Sequence, residues 1–278
     1  MKNDSTLSNT ARSTLVELET LLQEASHFSA LSMVNERVRN VHDRILLCLD
    51  AASIEDTDAI LGCADAISLR DSLIALNAEM HQKTEIALAQ RFLASDNQED
   101  PFEGSWVNKG FSRLLHMQLE NWKASNNLSK IMSGAVVIVG GGALPQTQVF
   151  LHKQLGCKVI SVDCHAESAE LCRKILKKTG FSHLEVFNED GCQFDYTGAS
   201  MIVVATLVQK KAQISARVAE TAPDAFFAPR MPLGLHAMWR ELVPSTDFAK
   251  WGWQLLDMCA PPDSSVGSML FVRNPAQG

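Results

Sequence analysis

Tyrosine occurs once in the 278 residues, at Tyr196, and aromatic residues make up only 6% of the chain. The N-terminal half therefore has no phenol to offer a reaction. Basic residues are in the minority, 25 Lys and Arg against 32 Asp and Glu, for a net charge of -7. That balance speaks against a general nucleic-acid binder, which needs a basic face to neutralise phosphates. The seven cysteines (Cys48, Cys63, Cys157, Cys164, Cys172, Cys192 and Cys259) are odd in number and nowhere spaced as C-x-x-C. Such usage fits reduced cytoplasmic thiols and leaves neither a disulfide framework nor a metal site with ligand spacing. Long apolar runs are missing as well. The start "MKNDSTLSNTARS" has no signal core, and "ASMIVVATLV" is too short to span a bilayer. The expectation is a soluble cytoplasmic protein that takes no nucleic acid, no membrane and no metal.

What the chain does have is 46% apolar and 21% charged residues, an ordinary globular composition, and enough length for two domains. From residue 10 to about 128 no strand pattern occurs. Apolar residues recur at helical spacing in "LVELETLLQEASHFSALSMV", "NERVRNVHDRILLCL" and "SLRDSLIALNAEMHQKTEIALAQRFL", the last with a stripe of Leu73, Leu76, Met80, Leu88 and Phe92. Beyond residue 135 the period changes. "AVVIVG", "KVISVD", "LEVF", "MIVVAT" and "AFFAP" read as buried strands with helices between most of them, the grammar of a parallel, doubly wound sheet. "WQLLDMCAP" and "SMLFVR" are too close for a helical crossover and should pair antiparallel. The expected fold is α/β: a Rossmann-like sheet of the S-adenosylmethionine (SAM) methyltransferase type over 129–278, behind an all-α bundle over 1–128. Lys174, Lys177 and Lys178 end a helix there and read as a solvated group complementing its dipole. The polar stretch "ASDNQEDPFEGS", 94–105, is a loop of a length that is often functional.

In a doubly wound sheet, ligands lie outside the carboxyl ends of the strands. The first such end is "VGGGALPQT". Gly140 and Gly142 match a G-x-G-x-x-G pattern, whereas its third position holds Pro145, so an NAD fingerprint is incomplete. Gly140, Gly141 and Gly142 let the chain turn sharply, and the helix that follows favours an anion at its N-terminus. Asp163, ending "KVISVD", can accept from both ribose hydroxyls or cap the helix near Ala166. Asp190 can accept from an adenine amino group or merely shape a polar turn. Thr206 and Leu207 stand at the mouth of the fourth strand, and Arg230 at that of the fifth, as a carboxylate ligand or a surface residue. These features point to an adenosine-containing ligand.

Four stretches carry a resemblance: "MVNERVRNVHDRILL", "LIALNAEMHQKTEIALAQRFLAS", "VGGGALPQTQVFL" and "MIVVATLVQKKAQISARVAETAPDAFFAPRMPLGLH". They resemble nicotianamine synthases and, more closely in length, the bacterial histidine 2-aminobutanoyltransferases that build opine metallophores such as staphylopine, pseudopaline and yersinopine. Leu144, Pro145 and Thr147 are its most specific residues. The resemblance implies that SAM is a co-substrate whose aminobutanoyl arm passes to an amine, in that branch the amine of histidine, with methylthioadenosine leaving. It aligns Glu85 as the base and Glu79 as a substrate residue. The family's tyrosine-rich element has no counterpart; "GSWVNKGFSRLLHMQLE" offers Trp106 or Phe111 to fill the space and His116 as a polar group. The alternatives are a small-molecule SAM methyltransferase and a non-catalytic nucleotide-binding protein. A homodimer is compatible with either reading.

Overall fold

A computed structural model describes residues 7–96, 106–124, 126–262 and 264–274, with side chains in the second stretch described from 112 onward. The chain forms two compact units. The first runs up to Ala87 and includes Pro232–Leu242; the second runs from Leu88 to Met231 and continues from Val243. The end of α4 (Ala66–Ala94) and all of α5 (Trp106–Ala124) thus count with the sheet, whereas a division at residue 128 assigns them to the bundle.

In the first unit, α1 (Asn9–Ser26), α2 (Glu36–Asp50) and α3 (Ile54–Leu61) each start where a polar side chain satisfies an otherwise open amide. Ser8 accepts from the Ala11 N–H, Asn35 from Arg37 and Ser53 from Asp56. The apolar pattern predicts that α1 runs on toward Val34, but it stops at Ser26. There Ser26 and His27 turn their side chains back onto the Gln23 carbonyl and compete with the helical ladder. Leu18, Leu21, Val38, Val41, Ile45, Leu73 and Met80 form the core, closed by Leu235, Met238 and Trp239 of a 3-10 turn and its cap, Gly234–Trp239. Thr84 fastens the segment after α1 by accepting the Met33 N–H at 2.8 Å.

All seven expected strands form in the second unit: β1 (Ala135–Val139), β2 (Val159–Asp163), β3 (Glu185–Asn188), β4 (Ala199–Val204), β5 (Phe226–Pro232), β6 (Trp253–Cys259) and β7 (Val266–Arg273). They make one sheet in the order β3-β2-β1-β4-β5-β7-β6. Neighbours within β1 to β5 pair parallel, and β6 and β7 form an antiparallel hairpin. Alternation along each strand feeds two cores. Val137, Val139, Ile202, Val204 and Phe227 face one side; Val136, Ile138, Met201, Val203 and Phe226 face the other, with Leu119 and Trp122 of α5. Buried on both faces, β1 reads in sequence as an unbroken apolar run.

Gln148, on α7 (Gln146–Leu155), bolts this helix to the sheet. Its amide donates to the carbonyls of Val159 and Glu185, and its carbonyl oxygen accepts from Ser161. Lys178, which ends α8 (Ala166–Lys178), departs from the solvated reading. Its ammonium lies half-buried on the carbonyls of Phe92, Leu93 and Ser95 and over the Phe92 ring, capping α4. Among the described residues no helix is long and apolar enough to cross a membrane.

Candidate functional site

The carboxyl ends of β1 to β4 converge on the glycine loop. Gly140 and Gly142 take positive φ values of 79° and 69°, which side-chain-bearing residues adopt only with strain. Gly140 is also crowded: a Cβ there would stand 2.3 Å from Cγ2 of Val208. At Gly141 it would meet Ser161 Cβ at 2.8 Å. These two glycines therefore let the loop nest against β2 and against the chain after β4. The loop is tied at both ends. The Gly140 N–H donates to the Val162 carbonyl at 2.8 Å, and the Gly142 N–H to Asp163 Oδ2 at 2.8 Å.

Asp163 is 8% exposed. Its Oδ1 accepts the His165 N–H at 2.9 Å in the turn before α8, whose N-cap is His165 with no side-chain cap bond; Asp163 thus braces the glycine loop and this turn at once and does not cap the helix. Each oxygen holds one backbone donor and keeps a second lone pair for a ligand. Asn188 at the end of β3 donates to the Asp163 carbonyl. Asp190 is half-buried, and its Oδ1 accepts the Cys192 N–H at 2.9 Å, shaping the polar turn. Gly191 sits where a Cβ would strike Val139 at 2.6 Å, which presses this turn onto the end of β1. Burial, then the charges of Asp163 and Asp190, push the Cys164 thiol up, so this rim is electronegative and carries no activated thiolate.

Leu144 and Pro145 are buried, and Pro145 is the N-cap of α7. The first helical residue, Gln146, has a buried Nε2 with no hydrogen-bond partner, a donor at the helix end that already favours negative charge. The following Thr147 is 8% exposed and receives Nη1 of Arg230 at 3.4 Å. Arg230 is neither at the surface nor open to solvent: it is 0% exposed, with Nη2 donating to Gln118 Oε1 at 3.2 Å. Gln118 in turn donates to Ser268. Burial lowers the Arg230 pKa to about 10. From its place on β5 it lays positive charge behind the start of α7.

Thr206 and Leu207 are half-exposed in the turn after β4. This turn is held from below by Lys211, 0% exposed, whose ammonium donates to the carbonyls of Thr206 and Val208. Lys210, just before it, has a φ of 63°. In sequence "QKK" looks like a solvated pair; nothing local shows that Lys211 turns inward.

The structure thus brings together Gly140, Gly141, Gly142, Leu144, Pro145, Thr147, Asp163, Asp190, Thr206 and Leu207, and it adds Gln146 and Lys211. His116 lies exposed on α5, hydrogen-bonded through Nδ1 to the Ser112 carbonyl and with its ring edge on Phe150. The side chains of Trp106 and Phe111, and residues 97–105 of the polar loop, lie outside what is described. Glu79 and Glu85 belong to the first unit, where Glu79 is exposed and Glu85 half-buried on α4. Among the described residues no three His, Cys, Asp or Glu side chains are grouped to hold a metal ion.

No protein-family model matches the sequence, and none of the curated proteins does. Solved structures do match. A variant of MtNAS, a nicotianamine synthase, with one glutamate replaced by glutamine is similar over 97% of this chain and 100% of its own, with a TM-score of 0.80 and 18% identity. The same variant in complex with S-adenosylmethionine has a TM-score of 0.75 and 19% identity over 94% of this chain and 98% of its own. MtNAS in complex with MTA and tNA has a TM-score of 0.78 and 19% identity over 97% and 100%. At such identities the likeness shows the fold, a Rossmann-like sheet with an N-terminal helical region, across nearly the whole chain.

Proposed function

We propose that this chain is a SAM-dependent aminobutanoyltransferase that moves the 3-amino-3-carboxypropyl group of SAM to the α-amine of histidine, L- in preference to D-. Methylthioadenosine leaves, and the product enters the making of an opine-type metallophore in the cytoplasm. The observation that carries the reading is the glycine loop locked to Asp163 through the Gly142 N–H, followed directly by the buried Leu144–Pro145 pair and the donor-rich start of α7. The fold shared with MtNAS, crystallised with S-adenosylmethionine and with MTA, supports it.

In this reading Asp163 accepts from the ribose hydroxyls and Asp190 from the adenine amino group, with Thr206 and Leu207 beside the adenosine. The arm's carboxylate meets the N-terminus of α7 and Gln146. Arg230, being fully buried, acts through Thr147 rather than by touching the ligand, and the positive potential it supplies favours that carboxylate. The amine lone pair of the acceptor attacks the γ-carbon in line with the carbon–sulfur bond. The bonding pair moves to sulfur, which leaves as a neutral thioether, and the new ammonium gives its proton to Glu85. Glu79, exposed in the first unit, and His116, exposed in the second, are the further groups assigned to the acceptor.

Incubating the protein with SAM and L-histidine, D-histidine or no amino acid, with products read by mass, tests this. Histidine heavier by one aminobutanoyl unit, with methylthioadenosine, is expected. Methylated product with S-adenosylhomocysteine would turn the reading into that of a methyltransferase, and no turnover into that of a binding protein. Glu85→Gln should lower the rate about 100-fold or more while SAM affinity stays within about two-fold by calorimetry.

A further inference from the structure

Four buried polar atoms of the first unit lack a hydrogen-bond partner, and they are neighbours: Nε2 of His42, Nε2 of His81, Oδ1 of Asn77 and Nε1 of Trp239. The His42 ring lies 5.6 Å from that of His81 and 6.1 Å from that of Trp239, centroid to centroid. Asn77 donates through Nδ2 to the Trp239 carbonyl at 2.7 Å, which leaves its Oδ1 as an acceptor. Asn77 and Trp239 are 0% exposed and His42 is 4% exposed. Buried polar atoms in folded proteins are nearly always paired, and each orphan costs about 1–3 kcal/mol. Four such atoms in one place are open to a polar visitor.

Their chemistry defines the visitor. Nδ1 of His42 faces Asp43 Oδ1 at 3.1 Å, which fixes the proton on Nδ1 and leaves Nε2 as a lone pair. The set therefore offers two acceptors, His42 Nε2 and Asn77 Oδ1, one donor, the Trp239 indole N–H, and one nitrogen of either kind on His81. An ammonium is disfavoured: besides burial, which lowers the pKa of both histidines most, the positive charge of Arg240 lies close enough to lower both further. Both rings are kept neutral, His81 with a pKa of about 3. A neutral planar group that both donates and accepts satisfies the set, as an imidazole does.

Position agrees. Asn77, His81 and Glu85 are four residues apart along α4 and share a face. Four residues rise about 6 Å along a helix, a span comparable to that from a histidine ring to its own α-amine. We propose that His42, Asn77, His81 and Trp239 form the side-chain subsite of the acceptor amino acid, receiving its imidazole while the α-amine lies beside Glu85. The assignment rests on the transferase reading above.

The test compares wild type with His42→Phe, which keeps the ring and removes the acceptor, and with His42→Gln, which restores one. kcat/KM is measured for histidine and for phenylalanine, alongside the KM for SAM, and histidine affinity is measured by calorimetry on the full chain. The expected result is a loss of about ten-fold or more for histidine in His42→Phe, partial recovery in His42→Gln, little change for phenylalanine, and an unchanged KM for SAM. Equal losses for both amino acids, or none, overturn the subsite and leave the four atoms to ordered water. If no methylthioadenosine forms with any amino acid, the transferase reading fails. Calorimetry then still decides the subsite: histidine binding that His42→Phe weakens supports it, and absent or unchanged binding overturns it.

Discussion

In the sheet unit, Gln148 closes three hydrogen bonds, Ser200 bonds the Ile131 carbonyl, the Tyr196 hydroxyl bonds Gly191 and the Trp253 indole bonds Ser215. In the helical unit, His42, Asn77, His81 and Trp239 keep buried atoms open beside a core of buried apolar residues. The contrast separates two uses of polarity. In the sheet unit most buried polar side chains belong to the scaffold and fix helix against strand. In the helical unit they hold a shape that packing alone does not need, at a cost in stability that a ligand can return.

Three measurements sharpen or break this contrast. The largest effect is expected at the glycine loop: Gly140→Ala combines positive φ with a clash on Val208 and should cost about 3 kcal/mol in denaturant unfolding. Adding Val208→Ala should recover the steric share and leave about 1 kcal/mol from the backbone. If the double variant recovers nothing, the close nesting of the two turns is not what Gly140 serves. Next, Gln148→Leu should cost about 2 kcal/mol because it strands two carbonyls and a hydroxyl. His81→Leu removes a buried nitrogen that has no partner and should raise stability by about 1 kcal/mol. Similar costs for the two would erase the distinction between the units.

The third measurement is graded by pH. His81 has a folded pKa of about 3 against an ordinary value of 6.5. The unfolded chain therefore binds the extra proton, and the stability of neutral His81 is present above pH 6.5 and lost as pH falls toward 3. The loss is about 1.4 kcal/mol per pH unit for one such group. His42 and His236, also lowered by burial, act in the same direction. Urea midpoints between pH 7 and 5 should fall for wild type and fall less for His81→Leu.

Strands were the most legible part of the fold. Runs such as "MIVVAT" are buried on both faces, so their signal needs no knowledge of partners. The bundle was harder to read. α3 is short and carries Glu55 and Asp56 in its first turn, so no stripe announces it, and α1 ends early through side-chain bonds that periodicity does not register. At the candidate site, Gly140, Gly142 and Asp163 declare themselves because backbone conformation and strand ends restrict residue type. Arg230, Lys211, Gln146 and Gln148 do not. Their surroundings come from residues far along the chain, as Gln118 and Thr147 do for Arg230.

Tyr196 gives the second unit an optical signature of its own. It is the chain's single phenol, 1% exposed, set edge-on against Phe194, and burial raises its pKa above the ordinary value of 10. Alkaline titration should therefore show no phenolate absorbance while the sheet is closed, and a cooperative appearance once it opens. The helical unit contains no phenol and stays dark in that experiment. The opening of one unit can thus be followed without a label in the intact chain.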